Sequence, residues 1–316
     1  MQLNIRVDKD ILQQFANQLG TKVNDDSFVI PKKLGSGLAK KTSFNGKLEF
    51  VSMQFTLNQP IQTASENPEN SPYFLLNINL SQKPVDKIVN TKRVKIQRDT
   101  PSGMLFYKPG TSVSSISPVQ VPFNIFLIKF PKTLLEHYLE KKEINHIMKV
   151  ISTSNLIYED LDLNSENYLR ETLLPSSNTF QKHSNLLNFL GLFIKKLSSR
   201  ETLDTTENIN PTDLKNLFII AGQLRNPLVN NTPTIENLAE SSAMSLTKFK
   251  NVFKQVFGTS PYQYHLKAKM QYAYRELAQK SYTVSEISYK LGYSHPSKFT
   301  SAFKKHYNIL PSKIKV

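Results

Sequence analysis

The chain is 316 residues long, enough for two or more hydrophobic cores, and carries 40 Lys and Arg against 25 Asp and Glu, a formal net charge of +15 at pH 7. With no cysteine, disulfides, thiolate nucleophiles and cysteine-ligated zinc are excluded. The opening MQLNIRVDKD has no apolar signal core, and the longest apolar stretches, around Phe123–Phe130 and Leu186–Ile194, are too short to span a bilayer, so no membrane contact and a cytoplasmic location are expected.

In chain order, Ile11, Leu12, Phe15 and Leu19 fall at helical spacing before a stop at Gly20. The pattern then turns strand-like. Gly46–Leu57 alternates and carries Leu48, Phe50 and Phe55; Tyr73–Leu80 is a second run, Lys92–Arg98 a more exposed third, Met104–Tyr107 is bracketed by Gly103 and Pro109-Gly110, and Val119–Phe130 is the most apolar. Many short strands separated by Pro, Gly, Asn and Ser predict a sandwich or barrel rather than alternating β-α units. Pro131 opens a predicted helix through about Met148. A second, near Phe180–Leu197, places Leu186, Phe189, Leu190, Phe193 and Leu197 along one side. That stripe suits packing on its own β-rich domain and pairing with another subunit equally well. Ser198–Asn210, with Asp204-Thr205-Thr206-Glu207, reads as a linker, and Pro211 restarts helix with Leu214, Leu217, Phe218 and Ala221 on one side.

The last third repeats itself. Ile235, Leu238-Ala239, Met244-Ser245, Phe249, Phe253-Lys254, Phe257 and Pro261 recur as Val284, Ile287-Ser288, Tyr293-Ser294, Phe299, Phe303-Lys304, Tyr307 and Pro311. Each copy has the layout of a short helix, a tight turn and a longer helix. From Ile235 onward there are 13 Lys and Arg against 4 Asp and Glu, so much of the basic surplus lies here, which suits an anionic partner such as nucleic acid. In the longer helix of the first copy Phe249, Val252, Phe253, Val256 and Phe257 must face inward, leaving Thr247, Lys250, Asn251 and Lys254 outside. The second copy divides the same way: Phe299, Ala302, Phe303 and Tyr307 face in, and Ser297, Thr300, Ser301 and Lys304 face out. Short polar and cationic side chains suit exchange of donors and acceptors with base edges, or neutralisation of phosphate.

From about Thr212 to Val316 the sequence resembles the DNA-binding domain of the arabinose-regulator (AraC/XylS) family of bacterial transcription factors. The resemblance rests on Leu238-Ala239, Met244-Ser245, Phe249, Phe253-Lys254, Phe257-Gly258, Ser260-Pro261, Tyr264 and Ala273, continued by Glu286-Ile287, Leu291-Gly292-Tyr293, Phe299, Phe303-Lys304 and Pro311-Ser312. It implies two helix-turn-helix units joined by a long helix, about Pro261–Gln279, with each recognition helix entering one of two successive major grooves. Carried over by position, Thr247, Lys250 and Asn251, with Ser297, Thr300 and Ser301, read bases, while Ser245, Lys254, Ser294 and Lys304 hold the backbone. The sequence departs from the family at Ala243, where glycine is common, at Lys269 and Lys315, where Arg is usual, and at Ser288, where Ala is usual. At Ala243 a positive φ would cost on the order of 1 kcal/mol. At Ser288 a hydroxyl on an inward face is expected to bond back to its helix carbonyl.

The resemblance also implies an N-terminal cupin-like β barrel that binds an effector and helps to dimerise. The expected fold is thus α+β and multidomain: a β-rich cupin-like sensing and dimerisation domain over 1–165 with flanking helices, a helical dimerisation segment and linker over 166–210, and an all-α double helix-turn-helix domain over 211–316. Phe50, Phe55, Tyr73, Phe106 and Phe126 are candidates to line an apolar effector pocket, although an ordinary core would use the same residues; Lys92, Arg93, Lys95 and Arg98 suit an anionic effector or a plain exposed strand. The six histidines, His137, His146, His183, His265, His295 and His306, all follow Pro131, and no phosphate-binding glycine loop or serine-histidine constellation is evident, so no metal, no cofactor and no catalytic residues are expected. The expected function is sequence-specific, DNA-binding transcriptional regulation by a nucleoid-associated homodimer. Double-stranded DNA is the partner, with RNA polymerase and a small-molecule effector as further candidates. An architectural DNA-coating protein and a β-barrel enzyme on a DNA-binding tail are the alternatives.

Overall fold

The computed structural model describes residues 1–80, 86–89, 92–94, 103–154, 156–174, 176–202, 209, 211–228 and 233–314. They form two compact units: Met1–Phe218 with Gln255–Gly258, and Ile219–Lys254 with Thr259–Val316.

The first unit begins with β1 (Gln2–Arg6) and α1 (Ile11–Leu19). Asp10 caps α1 by accepting from the Gln13 amide, and Gly20, at φ +72°, ends it in the left-handed conformation. There follow β2 (Ser27–Val29), β3 (Gly35–Phe44), a single 3-10 turn at Asn45–Lys47, β4 (Leu48–Leu57), β5 (Gln62–Asn67), β6 (Tyr73–Asn79), β7 (Asp86–Val89), β8 (Lys92–Val94), β9 (Gly103–Tyr107), β10 (Thr111–Ile116) and β11 (Pro122–Pro131). Lys95 and Arg98 of the expected basic strand lie outside the described residues. Among the described residues one sheet runs β1-β5-β10-β7-β8; the other, in which β12 is Ile157–Asp160, runs β12-β9-β6-β11-β4-β3-β2. β1 pairs with β5 in parallel, while the remaining strand pairs are antiparallel.

Successive side chains of β4, β6 and β11 serve two interiors. Phe50, Phe74, Leu76, Phe126, Ile128 and Phe130 join a core with Met104 and Phe106 of β9. The helices α2 (Lys132–Tyr138), α3 (Lys141–Thr153), α4 (Leu163–Leu173) and α5 (Thr179–Ser198) complete that core through Leu134, Ile147, Leu169, Phe189 and Phe193. Met53, Phe55, Leu75, Ile125 and Leu127 point instead to the space shared with the five-stranded sheet. The continuous helix expected after Pro131 is two helices, because Leu139 is extended, at φ −119° and ψ +151°, and Glu140 starts the second. The apolar stripe of α5 is buried in the chain's own core. By the usual scale for buried Leu and Phe, each of these side chains contributes about 1.5–3 kcal/mol.

α6 (Pro211–Arg225) buries Leu214, Leu217, Phe218, Ala221 and Leu224. Asp204-Thr205-Thr206-Glu207 of the expected linker falls outside the described residues. Beyond it lie α7 (Ile235–Ser241), α8 (Leu246–Phe257), α9 (Pro261–Ala278), α10 (Val284–Lys290), α11 (Pro296–Tyr307) and a 3-10 turn at Pro311–Lys313. The molecule is α+β, β-rich before Pro131 and helical after Pro211. Among the described residues no helix is long and apolar enough to cross a membrane.

Candidate DNA-binding surface

Thr234 starts α7 by accepting from the Asn237 amide, and Leu238 and Ala239 are buried. The chain turns at Ala243, whose φ of +54° puts a residue with a Cβ in the left-handed conformation at a position where the family commonly has glycine. Buried Ser242 steadies the turn, its hydroxyl donating to Ala239 O at 2.7 Å. Ser245 Oγ then accepts from the Lys248 amide at 3.3 Å, at the entry to α8. Phe249, Val252, Phe253, Val256 and Phe257 are all buried. Thr247, Lys250, Asn251 and Lys254, at i, i+3, i+4 and i+7, share the opposite side; the first two are exposed and the last two half-buried.

The second helix-turn-helix copy is built alike, with different fittings. A capping box opens α10: the Thr283 hydroxyl accepts from the Glu286 amide at 3.2 Å, and Glu286 Oε2 accepts from the Thr283 amide at 2.7 Å. These bonds hold the exposed Glu286 carboxyl below the ordinary carboxylate range. Gly292 turns the chain at φ +80°. Leu246 begins α8 three residues after Ala243, whereas Pro296 begins α11 four residues after Gly292. The extra residue puts His295, which makes no side-chain cap bond, at the cap. Ser294, matched to Ser245 in sequence, sits exposed one residue before it. Ser297, Thr300, Ser301 and Lys304 repeat the i, i+3, i+4, i+7 spacing, all exposed but the half-buried Thr300. Beneath them Phe299 and Phe303 pack with Ile287, Leu291, Met270 and Ala273, so the ten candidate side chains sit outside two aromatic cores.

Ser288 departs from expectation. Its side chain is fully buried, and its hydroxyl makes no hydrogen bond, so the bond back to a helix carbonyl is not formed. Lys269 is half-buried on α9, and burial pushes its ammonium below the usual lysine range; Lys315 lies outside the described residues. His265 of α9 is buried with Nδ1 2.6 Å from Leu224 O, and burial likewise lowers its pKa.

Two features escaped the sequence reading. Lys248 and Lys298 hold the same place in both copies, one residue before the inward Phe249 and Phe299, and sit beside the polar stripes. The signal was their repetition. The second is Arg200, buried to 5% exposure. Its Nε and Nη2 donate to Glu159 Oε1 at 3.0 and 2.7 Å, Nη2 also donates to Tyr158 O and Val256 O, and Nη1 to Gln255 O. Tyr158, Phe218 and Phe257 stack edge to face beside it, with centroids 5.1–5.9 Å apart. The last turn of α8 is thereby held in the first unit. A lone Arg inside the stretch expected to be a polar linker, Ser198–Asn210, gives no sign of this in sequence.

In the first unit a cavity of about 70 Å³ lies between the sheets. Of the five aromatic pocket candidates, Phe55 lines it. Phe50 and Phe126 stack at 5.9 Å in the helix-covered core, where Phe106 meets Phe193 at 5.5 Å. Tyr73 is half-buried, with Lys129 Nζ 4.8 Å from its ring centroid.

Two helix-turn-helix copies, each with buried aromatic residues beneath a polar stripe of the same spacing, define a helix-turn-helix DNA-binding domain. Residues 238–315 match the family model described as "Helix-turn-helix domain". The chain is 25% identical to the HTH-type transcriptional activator RhaS of Mannheimia succiniciproducens over 176 residues, covering 55% of this chain and 63% of that protein. It is 33% identical to the lactose operon transcription activator of Staphylococcus xylosus over 79 residues, 25% of this chain and 28% of that one. A solved transcriptional regulator of Chromobacterium violaceum with an AraC-type DNA-binding domain is 25% identical with a TM-score of 0.30, over 34% of this chain and 94% of that one. The chain thus spans under two thirds of these two relatives. Its C-terminal region is an AraC-type helix-turn-helix domain.

Proposed function

We propose that the protein is a sequence-specific DNA-binding transcriptional regulator whose β-rich N-terminal region receives an effector. The observation that carries this reading is the pair of outward stripes at identical spacing, Thr247, Lys250, Asn251 and Lys254 on α8 and Ser297, Thr300, Ser301 and Lys304 on α11. Thr247, Lys250, Asn251, Ser297, Thr300 and Ser301 read base edges. Ser245, Lys254, Ser294 and Lys304 contact phosphate, joined by Lys248 and Lys298, and supply salt-dependent affinity. The working division is sensing and dimerisation over 1–165, a helical dimerisation segment and linker over 166–210, and DNA binding over 211–316. The protein works in the cytoplasm, at the nucleoid, as a homodimer; RNA polymerase is its partner at promoters, and it performs no catalysis.

The test is a gel shift on a site selected from random duplex. Lys250→Ala or Asn251→Ala is expected to weaken the selected site about tenfold or more, in line with 1–3 kcal/mol per base contact, and to leave random DNA less affected. Equal loss on both would establish an architectural DNA-coating protein instead.

A further inference from the structure

The cavity between the sheets is lined by apolar side chains from both, with a cluster of hydroxyls on one. The seven-stranded sheet gives Met53, Phe55 and Leu127 together with the Asn77 amide. The five-stranded sheet gives Leu3 and Ile5 of β1 and, beside them, the half-buried Thr63 and Ser65 of β5 and Ser115 of β10. Thr63 and Ser115 are direct register partners, and Ser65 lies two residues along on the same face. Inward positions between facing sheets ordinarily carry branched apolar residues, which pack without desolvating a polar group. Three hydroxyls on one inner wall are a poor choice for packing alone and a good one for a guest with its own hydrogen-bonding group.

We propose that this cavity binds a small neutral amphiphile, a short aliphatic chain ending in a hydroxyl or carbonyl group. The polar end meets Thr63, Ser65 and Ser115, and the chain lies against Met53, Phe55 and Leu127. A carboxylate in the same place would exchange full hydration for hydroxyl contacts, which favours a neutral group. The volume, about 70 Å³, is roughly half that of the 150 Å³ cavity known to hold benzene, which suits a guest of about three to four heavy atoms. This inference deepens the effector reading above and rests on it.

The experiment follows the methionine methyl resonances of the full-length protein by NMR during titration with n-propanol and, separately, with propionate. The expected result is a saturable shift of the Met53 methyl with n-propanol, Met244 and Met270 unmoved, and no saturable response to propionate. Thr63→Val, which keeps the shape and removes the hydroxyl, should weaken n-propanol about five- to tenfold, and Ser115→Ala should do so in a background that repeats the amide spectrum. A Met53 methyl that does not saturate, equal affinity for propionate, or unchanged affinity in both folded variants would overturn the proposal. Gel shifts on the same samples separate the two readings. A saturable Met53 shift with operator affinity unchanged by n-propanol upholds the ligand site and removes effector control, whereas intact specific DNA binding with a silent Met53 overturns the ligand site alone.

Discussion

In the first helix-turn-helix unit the left-handed turn residue is Ala243, at φ +54°, and the helix behind it enters through Ser245; in the second the turn is Gly292, at φ +80°, and entry falls to an uncapped His295. α7 opens on a simple Thr234 cap and α10 on a full capping box. α8 ends with its carbonyls on a buried guanidinium, and α11 ends on a left-handed Asn308 whose amide donates to Lys304 O. The outward spacing is nonetheless the same in both. Two copies can therefore drift in how turns and ends are satisfied, provided that each aromatic core keeps its polar stripe in place.

The ends of the two long helices give the sharpest contrast. Arg200→Ala leaves Glu159 buried and unpaired and frees the Gln255 and Val256 carbonyls, so a loss of about 3–5 kcal/mol is expected in chemical denaturation. Asn308→Ala should cost α11 far less; equal losses would erase the distinction. The inward serines come next. Ser288→Ala removes a buried hydroxyl that makes no hydrogen bond, and a gain of about 1 kcal/mol is expected, read as a higher denaturant midpoint at unchanged slope. Ser242→Ala, which breaks the bond to Ala239 O, should lose stability.

The turns should respond in opposite directions. Ala243→Gly relieves the Cβ at positive φ and should stabilise by up to about 1 kcal/mol, whereas Gly292→Ala should destabilise by a similar amount. No atom crowds a Cβ at Gly292, so strain alone is tested there. The smallest effect is that of pH. Glu286 is held below its ordinary value of 4.5, so its support of α10 is complete above that value and lost as pH falls through the lowered one. Thr234 of α7 is matched by Asn237, which does not titrate. Hydrogen exchange followed as pH falls from 6 through the lowered Glu286 value should thus show α10 loosening before α7; simultaneous loosening would dismiss the capping box as the cause.

The C-terminal third was legible because large aromatics at three- and four-residue spacing have one way to hide, and because the second copy checks the first. Ala243 was legible through the family resemblance, which commonly has glycine at its position. Much of the first unit was not. β5, QTASEN, and β10, TSVSSI, hold few apolar residues, and the parallel pairing of β1 with β5 joins segments some sixty residues apart, which local pattern cannot show. α4, LNSENYLRETL, has too few apolar residues to announce a stripe. The break at Leu139 lacks the Pro or Gly that would mark it. The aromatic pocket set was read without knowing which side of a two-sided sheet each residue faces, and a shift of one position moves a side chain from cavity to core.

The Arg200 cluster bears on how this molecule can be taken apart. Trimming the gene at the polar linker, the obvious place to cut, would yield a piece that still ends α8 with Val256 and Phe257 yet lacks Tyr158 and the guanidinium that shield them. Such a truncate should be stickier and less robust than its intact parent, and any affinity measured on it would describe a recognition helix with a frayed heel.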